Sequence, residues 1–593
     1  MNNYAAGILT SVIIYLIIGH YVGRRVKGVD DYYVAGRNAP TLFVVGTLIA
    51  SYLSTAAFLG ETGFAYQGYA GVMLILIAVN LMGYVIGAVF FGRYIRRSRA
   101  ITVAEYFGKR FNSRRVQAAA GTTVIIGLSA YLLAVTQGAS LVISEAVDIP
   151  YDVTLLIVWG GYTWFTARSG SKGVVVTDTV MFFLFTIITF ATAFYIISAT
   201  GGWFDTIDAL ATFDAKPGII SWHGVTGPGA RFETIGDALS WGLILGVAWG
   251  ITIAVSPWQS SRYLMAKDEH VVIRSACAAT ATALLFYCAL FMAATSLNLL
   301  NPDIVPAEKA MIWAAMNVLP GFFGVLLMAG IVAAALSSAS TFLSLIAFSA
   351  TNDLVELKES NELRRLSLSR YAMLGIGVVI LGLAHLQPPA ILEISYFAAT
   401  LFASSWGPVA FMSVWSERIT ASAAFWGIVV GFGSNFAAKM LTLYGFATLP
   451  VLLDPIVIGI ALSSLTIIVV SHGSEVTAAE RRYRVNLHAT PAAEIDIAKS
   501  RATLKFAIGL MCCGLGLALA MAVFYAAPYA VATDDRRINM TPIEGRANDG
   551  GEMFLALGCG AILLLMGLIA YRAVKADYSA ARRAGQQAKK NEL

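Results

Sequence analysis

The stretch TLIASYLSTAAFLGETG, residues 47–63, decides how this chain folds. It is apolar enough for hydrocarbon, yet Ser51, Ser54, Thr55, Gly60 and Gly63 crowd its middle. Serine, threonine and glycine are poor helix formers, and the hydroxyls offer backbone groups a competing partner. Two readings are open. Small residues could let a neighbouring membrane helix approach closely. Alternatively the helix is broken here, and freed carbonyls near Ala50 and Leu53 can coordinate a cation.

Both readings need a bilayer, and the composition demands one. A chain of 593 residues would ordinarily form three or four soluble domains. Only 13% of its residues are charged, against about 25% in a typical soluble chain. With 58% apolar residues and a mean hydropathy of +0.71, water could not solvate its surface. The chain is expected to be an all-α polytopic membrane protein whose partner is the lipid bilayer.

About 20 apolar residues span the hydrocarbon. By that rule about fifteen spans are expected, near 5–23, 41–67, 71–92, 117–147, 152–167, 174–200, 234–258, 270–299, 319–351, 369–386, 390–415, 420–445, 452–471, 503–530 and 552–573. The runs are continuous rather than alternating, which excludes a β-barrel. The first run has an uncharged front and is followed by Arg24, Arg25 and Lys27, the reverse of a signal peptide.

Lys and Arg concentrate in alternate loops, such as Arg93–Arg115 and Arg481–Arg501, and in the tail after Arg572. The opposite loops hold only Lys216, Arg231, Lys309, Arg536, Arg537 and Arg546. Basic loops face the cytoplasm, so the N-terminus is expected outside and the C-terminus in the cytoplasm, as in a bacterial inner membrane. Lys358, Arg364 and Arg365 fall on the cytoplasmic side. The net charge of +6 is then a membrane-face charge, and nucleic acid drops out as a partner.

Enzyme signatures are absent. There is no P-loop and no HExxH. The six histidines lie at span ends or in loops, so no mid-membrane haem is available. The five cysteines form no CxxC pair. Transport is left as the leading class, and intramembrane polar groups mark the path.

The ninth span reads GIVAAALSSAST, residues 330–341, with hydroxyls on Ser337, Ser338, Ser340 and Thr341. They could bond back to the preceding turn. Equally, neutral oxygens suit sodium, whereas zinc or iron would want nitrogen or sulfur donors. Asp178 stands several residues inside the sixth span, where a charge needs a partner. That partner could be a cation, or Lys172 or Arg168 at the interface. Glu61, on the outer half of the second span, could meet water or a substrate amine, or serve structure alone.

These residues carry a resemblance. DYYVAGR at 31–37 resembles D-[FY]-x-x-A-G-[RK], and TVAEYFGKRF at 102–111 resembles T-x-x-E-[FY]-x-x-x-R-F. VTD at 176–178, PWQSSR at 257–262, and AALSS at 334–338 ending at NDL, 352–354, follow in order. Together with the 48–60 stretch they resemble the sodium/solute symporter family, that of the sodium/proline, sodium/pantothenate, sodium/acetate and sodium/glucose cotransporters. The resemblance covers about residues 20–450.

The resemblance implies a five-plus-five inverted-repeat transporter core of the leucine-transporter type, with one N-terminal and about four C-terminal extra helices. It places an N-terminal helix and loop at 1–40, the first repeat at 41–201, an extracellular loop at 202–233, the second repeat at 234–416, and peripheral helices at 417–593. Broken helices are expected in the second and seventh spans. It also implies a main sodium site from the carbonyls of Ala50, Leu53 and Ala334 with the hydroxyls of Ser337 and Ser338. A second sodium would be held by Asp178, Ser340 and Thr341. Ser54, Ala57, Glu61, Gln137, Trp249 and Thr252 are the solute-side candidates.

Departures from the family pattern bear on the solute. Val176 replaces a Trp, Trp258 a His, and Ala57 the Gln used by sugar carriers. Thr252-Ile253 stands where sugar members carry two aromatics. The expected function is sodium-coupled import of a small organic solute, a monocarboxylate or amino acid before a sugar. Proton coupling in the same fold is one alternative, and a transporter-like sensor or accessory subunit another. No partner subunit is specified.

Overall fold

The computed structural model describes residues 3–24, 28–355, 362–386, 391–539 and 550–591. Arg25, Lys27, Lys358 and Arg546, used above for orientation, lie outside the described residues. The described chain is almost wholly helical. Thirteen of its helices are long and apolar enough to cross a membrane.

The two missing from the expected fifteen show how the core is built. Residues 41–67 do not form one helix. Helix α1 covers Asn3–Gly23, and α2, Thr41–Tyr52, is too short to span. The chain is extended at Leu53 (φ −76°, ψ 98°) before α3, Ala56–Ser98, begins. Ser54 explains the stop, because its Oγ accepts the Ala56 amide at 3.1 Å and caps the new segment. Helix α3 then takes in the expected third span after a sharp turn at Gly68, whose φ of +109° suits glycine alone.

The second discrepancy lies at residues 152–167. After α4, Arg114–Val147, this segment is the first part of α5, Tyr151–Ala199, which kinks at Gly170 (φ +55°). A Cβ at Gly170 would lie 2.6 Å from the Tyr32 ring, so the kink is fixed by packing as well as by conformation.

A second break lies in the seventh expected span. Helix α6, Ile235–Val255, opens on a capping box between Thr234 and Asp237. It ends at Ser256, which turns out to ψ 150°, and α7, Pro257–Met265, starts on a proline at its first position. Proline lacks the amide that would continue α6 and is preset for a new first turn. The chain continues through α8, Glu269–Ser296, and α9, Gly321–Phe348. Next come α10, Glu362–Leu386, α11, Ile391–Trp415, α12, Ala421–Leu443, and α13, Pro455–His472. Helices α2, α4 and α5 all pack on α9, and α6 packs on α3 and α11. The breaks in α2–α3 and α6–α7 are therefore enclosed by other helices.

The remaining helices close one end. Helix α14, Ala478–His488, is capped by Thr477 and Glu480. It is followed by α15, Ile497–Met521, and α16, Gly551–Asn591. Arg97 at the end of α3 makes a bidentate pair with Glu269 (2.5 and 2.8 Å) and donates to the Leu487 carbonyl at 2.7 Å. Tyr578 of α16 donates to the same Glu269 carboxylate at 3.0 Å. The Glu269 amide meets the Glu494 carboxylate at 3.2 Å. The peripheral helices are thus tied to the core by charge-assisted bonds.

Candidate functional site

The two chain breaks adjoin. Gln259 of α7 donates to the Leu48 carbonyl of α2 at 3.5 Å, and Tyr84 of α3 donates to the same carbonyl at 3.2 Å. In an unbroken helix the amides of Ser54 and Ala57 would close onto the carbonyls of Ala50 and Leu53. Instead the Ala57 amide bonds Ser54 at 3.1 Å, and the Ala50 and Leu53 carbonyls receive no helical amide. Both residues are fully buried.

The hydroxyl-rich stretch of α9 separates into distinct roles. Ser337 Oγ donates to Asp178 Oδ1 at 2.7 Å. Ser340 bonds back to the Ser337 carbonyl at 2.9 Å, the back-bonding alternative read from the sequence. Thr341 accepts from Arg262. Ser338 Oγ is buried and makes no hydrogen bond. An orphaned hydroxyl in the core is costly. Together with the open carbonyls on α2, on which α9 packs, it supplies the neutral oxygen set that sodium takes. The residues present fit that ion. Ala334 is buried on the same helix one turn before Ser338.

Asp178 is fully partnered. Thr47 donates to its Oδ2 at 2.5 Å, Ser337 to Oδ1, and Arg262 Nη2 lies 3.5 Å from Oδ2. The ion-pair partners expected from sequence are not used. Lys172 instead faces Asp31 at 3.3 Å, because six residues of continuous helix turn it to a different face from Asp178. The partner is Arg262 at the end of α7, brought inward by the break at Ser256. Nothing in the local sequence around Asp178 names it.

The solute-side candidates divide. Thr252 is committed to packing, since its hydroxyl donates to the Ala399 carbonyl at 2.9 Å and staples α6 to α11. Ala57 is buried and offers no polar atom. Ser54 caps the break. Gln137 is buried in the middle of α4. Glu61 and Trp249 come together through a residue not foreseen: Tyr396 of α11 donates to Glu61 Oε1 at 3.2 Å, and its ring lies 5.1 Å from the Trp249 ring. Tyr287 of α8 faces the same carboxylate, and Tyr52 packs against Tyr287 with ring centroids 6.0 Å apart. Near the other break, Ser256 Oγ, Gln259 Oε1 and Ser260 Oγ are buried without partners. They too were missed, and serine beside proline was the available signal.

The model of the sodium:solute symporter family matches residues 32–431. The chain is 24% identical over 430 residues to the sodium/pantothenate symporter of Escherichia coli (strain K12), covering 71% of this chain and 87% of that protein. It is 22% identical over 437 residues to the sodium/proline symporter of the same organism, covering 70% and 84%. Among solved structures, a substrate-bound, outward-open sodium-coupled sialic acid symporter superposes with a TM-score of 0.66 at 19% identity, covering 80% of this chain and 98% of that one. At that identity the likeness establishes the fold, an inverted-repeat transporter core.

Proposed function

The chain belongs to the sodium:solute symporter family, and on that premise we propose that it couples sodium entry to import of a small organic solute by alternating access. The observation that carries the sodium assignment is the oxygen set at the break in α2–α3. Ala50 and Leu53 present carbonyls no helical amide takes, and Ser338 presents a buried hydroxyl that bonds nothing. Ala334 and Ser337 complete the proposed ligands. Sodium bridging α2 and α9 would favour one arrangement of the mobile halves, 41–201 and 234–416. The solute would gain affinity in that arrangement by reciprocal coupling. The gradient and the membrane potential, about 2.3 kcal/mol per charge per 100 mV, drive the cycle.

A second sodium at Asp178, Ser340 and Thr341 is conditional on Arg262. While the guanidinium holds Asp178 and Thr341, that cluster already has its cation. We propose that a second ion binds there only in a state in which Arg262 has withdrawn. A monocarboxylate or amino acid suits the site better than a sugar, because Ala57 and Thr252 offer no hydrogen bond to a hydroxylated ring. The thirteen apolar helices make the chain integral to a membrane, and its bacterial relatives support the inner one. The proposed orientation has the N-terminus outside.

The decisive experiment is uptake by the purified chain in proteoliposomes, with an imposed sodium gradient set against choline at fixed pH. Sodium-driven accumulation of at least one solute among monocarboxylates, amino acids and pantothenate is expected. Uptake indifferent to sodium would overturn the assignment, and uptake driven by a proton gradient alone would replace it.

A further inference from the structure

Glu61 is a buried carboxylate with one oxygen left without a hydrogen-bond donor. It is 6% exposed, on the first turns of α3. Its Oε1 accepts a hydrogen bond from Tyr396 and the Tyr287 hydroxyl faces the carboxylate, while Oε2 has no donor at hydrogen-bond geometry. Among the described residues no Lys, Arg or His pairs with it. Asp178, by contrast, has Arg262. A buried carboxylate with neither counter-charge nor a full set of donors is expensive. Keeping one implies that something outside the protein completes it.

The surroundings say what. Tyr396 and Tyr287 face the carboxylate, and Trp249 and Tyr52 pack behind them from two further helices, so these protein neighbours are aromatic rather than cationic. Electron-rich faces attract a cation and offer little to an anion. The open acceptor at Oε2 calls for an N–H or O–H donor, which an ammonium group supplies with charge assistance. Trp249 Nε1, on the ring that packs against Tyr396, is also buried without a partner. With the N-terminus outside, Glu61 and Trp249 lie on the outer side of the breaks, where an incoming solute arrives first.

We propose that Glu61, within the ring of Tyr52, Trp249, Tyr287 and Tyr396, receives the protonated amine of the transported solute. The solute is then a small primary or secondary amine, an amino acid or a diamine, and a simple monocarboxylate is not the natural cargo. This rests on the symport reading above and narrows it.

The test uses the full chain in detergent at saturating sodium, with thermal shift read for matched pairs: β-alanine and propionate, proline and cyclopentanecarboxylate, putrescine and 1,4-butanediol. At least one amine should raise the melting temperature where its amine-free partner does not. Glu61→Gln should weaken the apparent affinity for that amine by about tenfold to hundredfold, and Tyr396→Phe by less. Both variants should keep the sodium-induced shift, which also shows that they fold. Equal stabilisation of wild type and Glu61→Gln by an amine-free compound would overturn the proposal. So would a panel in which no amine acts on the wild type, or amine-free uptake that is proton-driven and lost in Glu61→Gln. Failure of the symport reading looks different, because the wild type would then show no sodium response at all.

Discussion

Arg262 and Asp178 form an ion pair in the membrane core, 3.5 Å apart and each at most 2% exposed, and Arg262 also donates to Thr341. Neither charge is near water. Removing one partner leaves the other buried and uncompensated, which costs about 3–5 kcal/mol.

Asp178→Asn should therefore lower the melting temperature sharply, and Arg262→Met likewise. The double variant should be less destabilised than the sum of the two. Strict additivity in a double-mutant cycle would show that the pair does not interact.

Ser337 and Ser338 should respond differently despite adjoining. Ser338 Oγ bonds nothing in the protein, so Ser338→Ala should raise the half-saturating sodium concentration about tenfold or more with little loss of stability in choline. Ser337→Ala also removes a bond to Asp178 and should lower stability even without sodium. Identical effects of the two variants on sodium activation and on melting would refute this division.

Glu494 gives the segment between α14 and α15 a pH response. Burial, with Glu269 and Asp268 beside it, lifts its carboxyl from 4.5 to about 7. The folded state thus holds a proton that the unfolded chain releases near pH 4.5. The resulting stability is fully present below that pH and is lost as pH rises through about 7. The melting temperature should fall across this window, and Glu494→Gln should flatten the fall.

Gly170 should not tolerate a side chain. Its φ of +55° costs an L-residue about 1–2 kcal/mol, and a Cβ would strike the Tyr32 ring. Gly170→Ala should destabilise, whereas Gly160→Ala, with open space at Cβ, should be neutral or mildly stabilising. Thermal melts of the two variants compare them directly.

The orientation is open to labelling. The five native cysteines lie in apolar helices. A membrane-impermeant maleimide should therefore modify Asn3→Cys on intact cells and Lys575→Cys only after permeabilisation. The reverse pattern would invert the assigned topology.

What could be read from sequence follows from how local each cause is. The break at residues 53–55 was legible because Ser54 and Thr55 act on their own backbone. The break at Ser256 was expected from pseudo-symmetry and marked by Pro257. The Asp178 partner was not legible, since Lys172, six residues away on the same helix, faces a different side, while Arg262 arrives from another helix. The ring around Glu61 was equally hidden. Tyr52, Trp249, Tyr287 and Tyr396 come from four helices, and each alone reads as an ordinary packing aromatic. Thr252 failed as a solute contact because a hydroxyl facing a neighbouring helix finds a carbonyl there first.

The bond from Tyr578 to Glu269 has a bearing on handling the protein. The tail looks dispensable, a charged helix leaving the membrane, and would be the first piece trimmed to improve crystals. Cutting ahead of Tyr578 strips a donor from the carboxylate that also grips Arg97, loosening the C-terminal end of α3, on the limb that follows the Gly68 turn. Affinity tags and fluorescent reporters belong beyond residue 591, and a shortened version that purifies well but works poorly should first be checked at this contact.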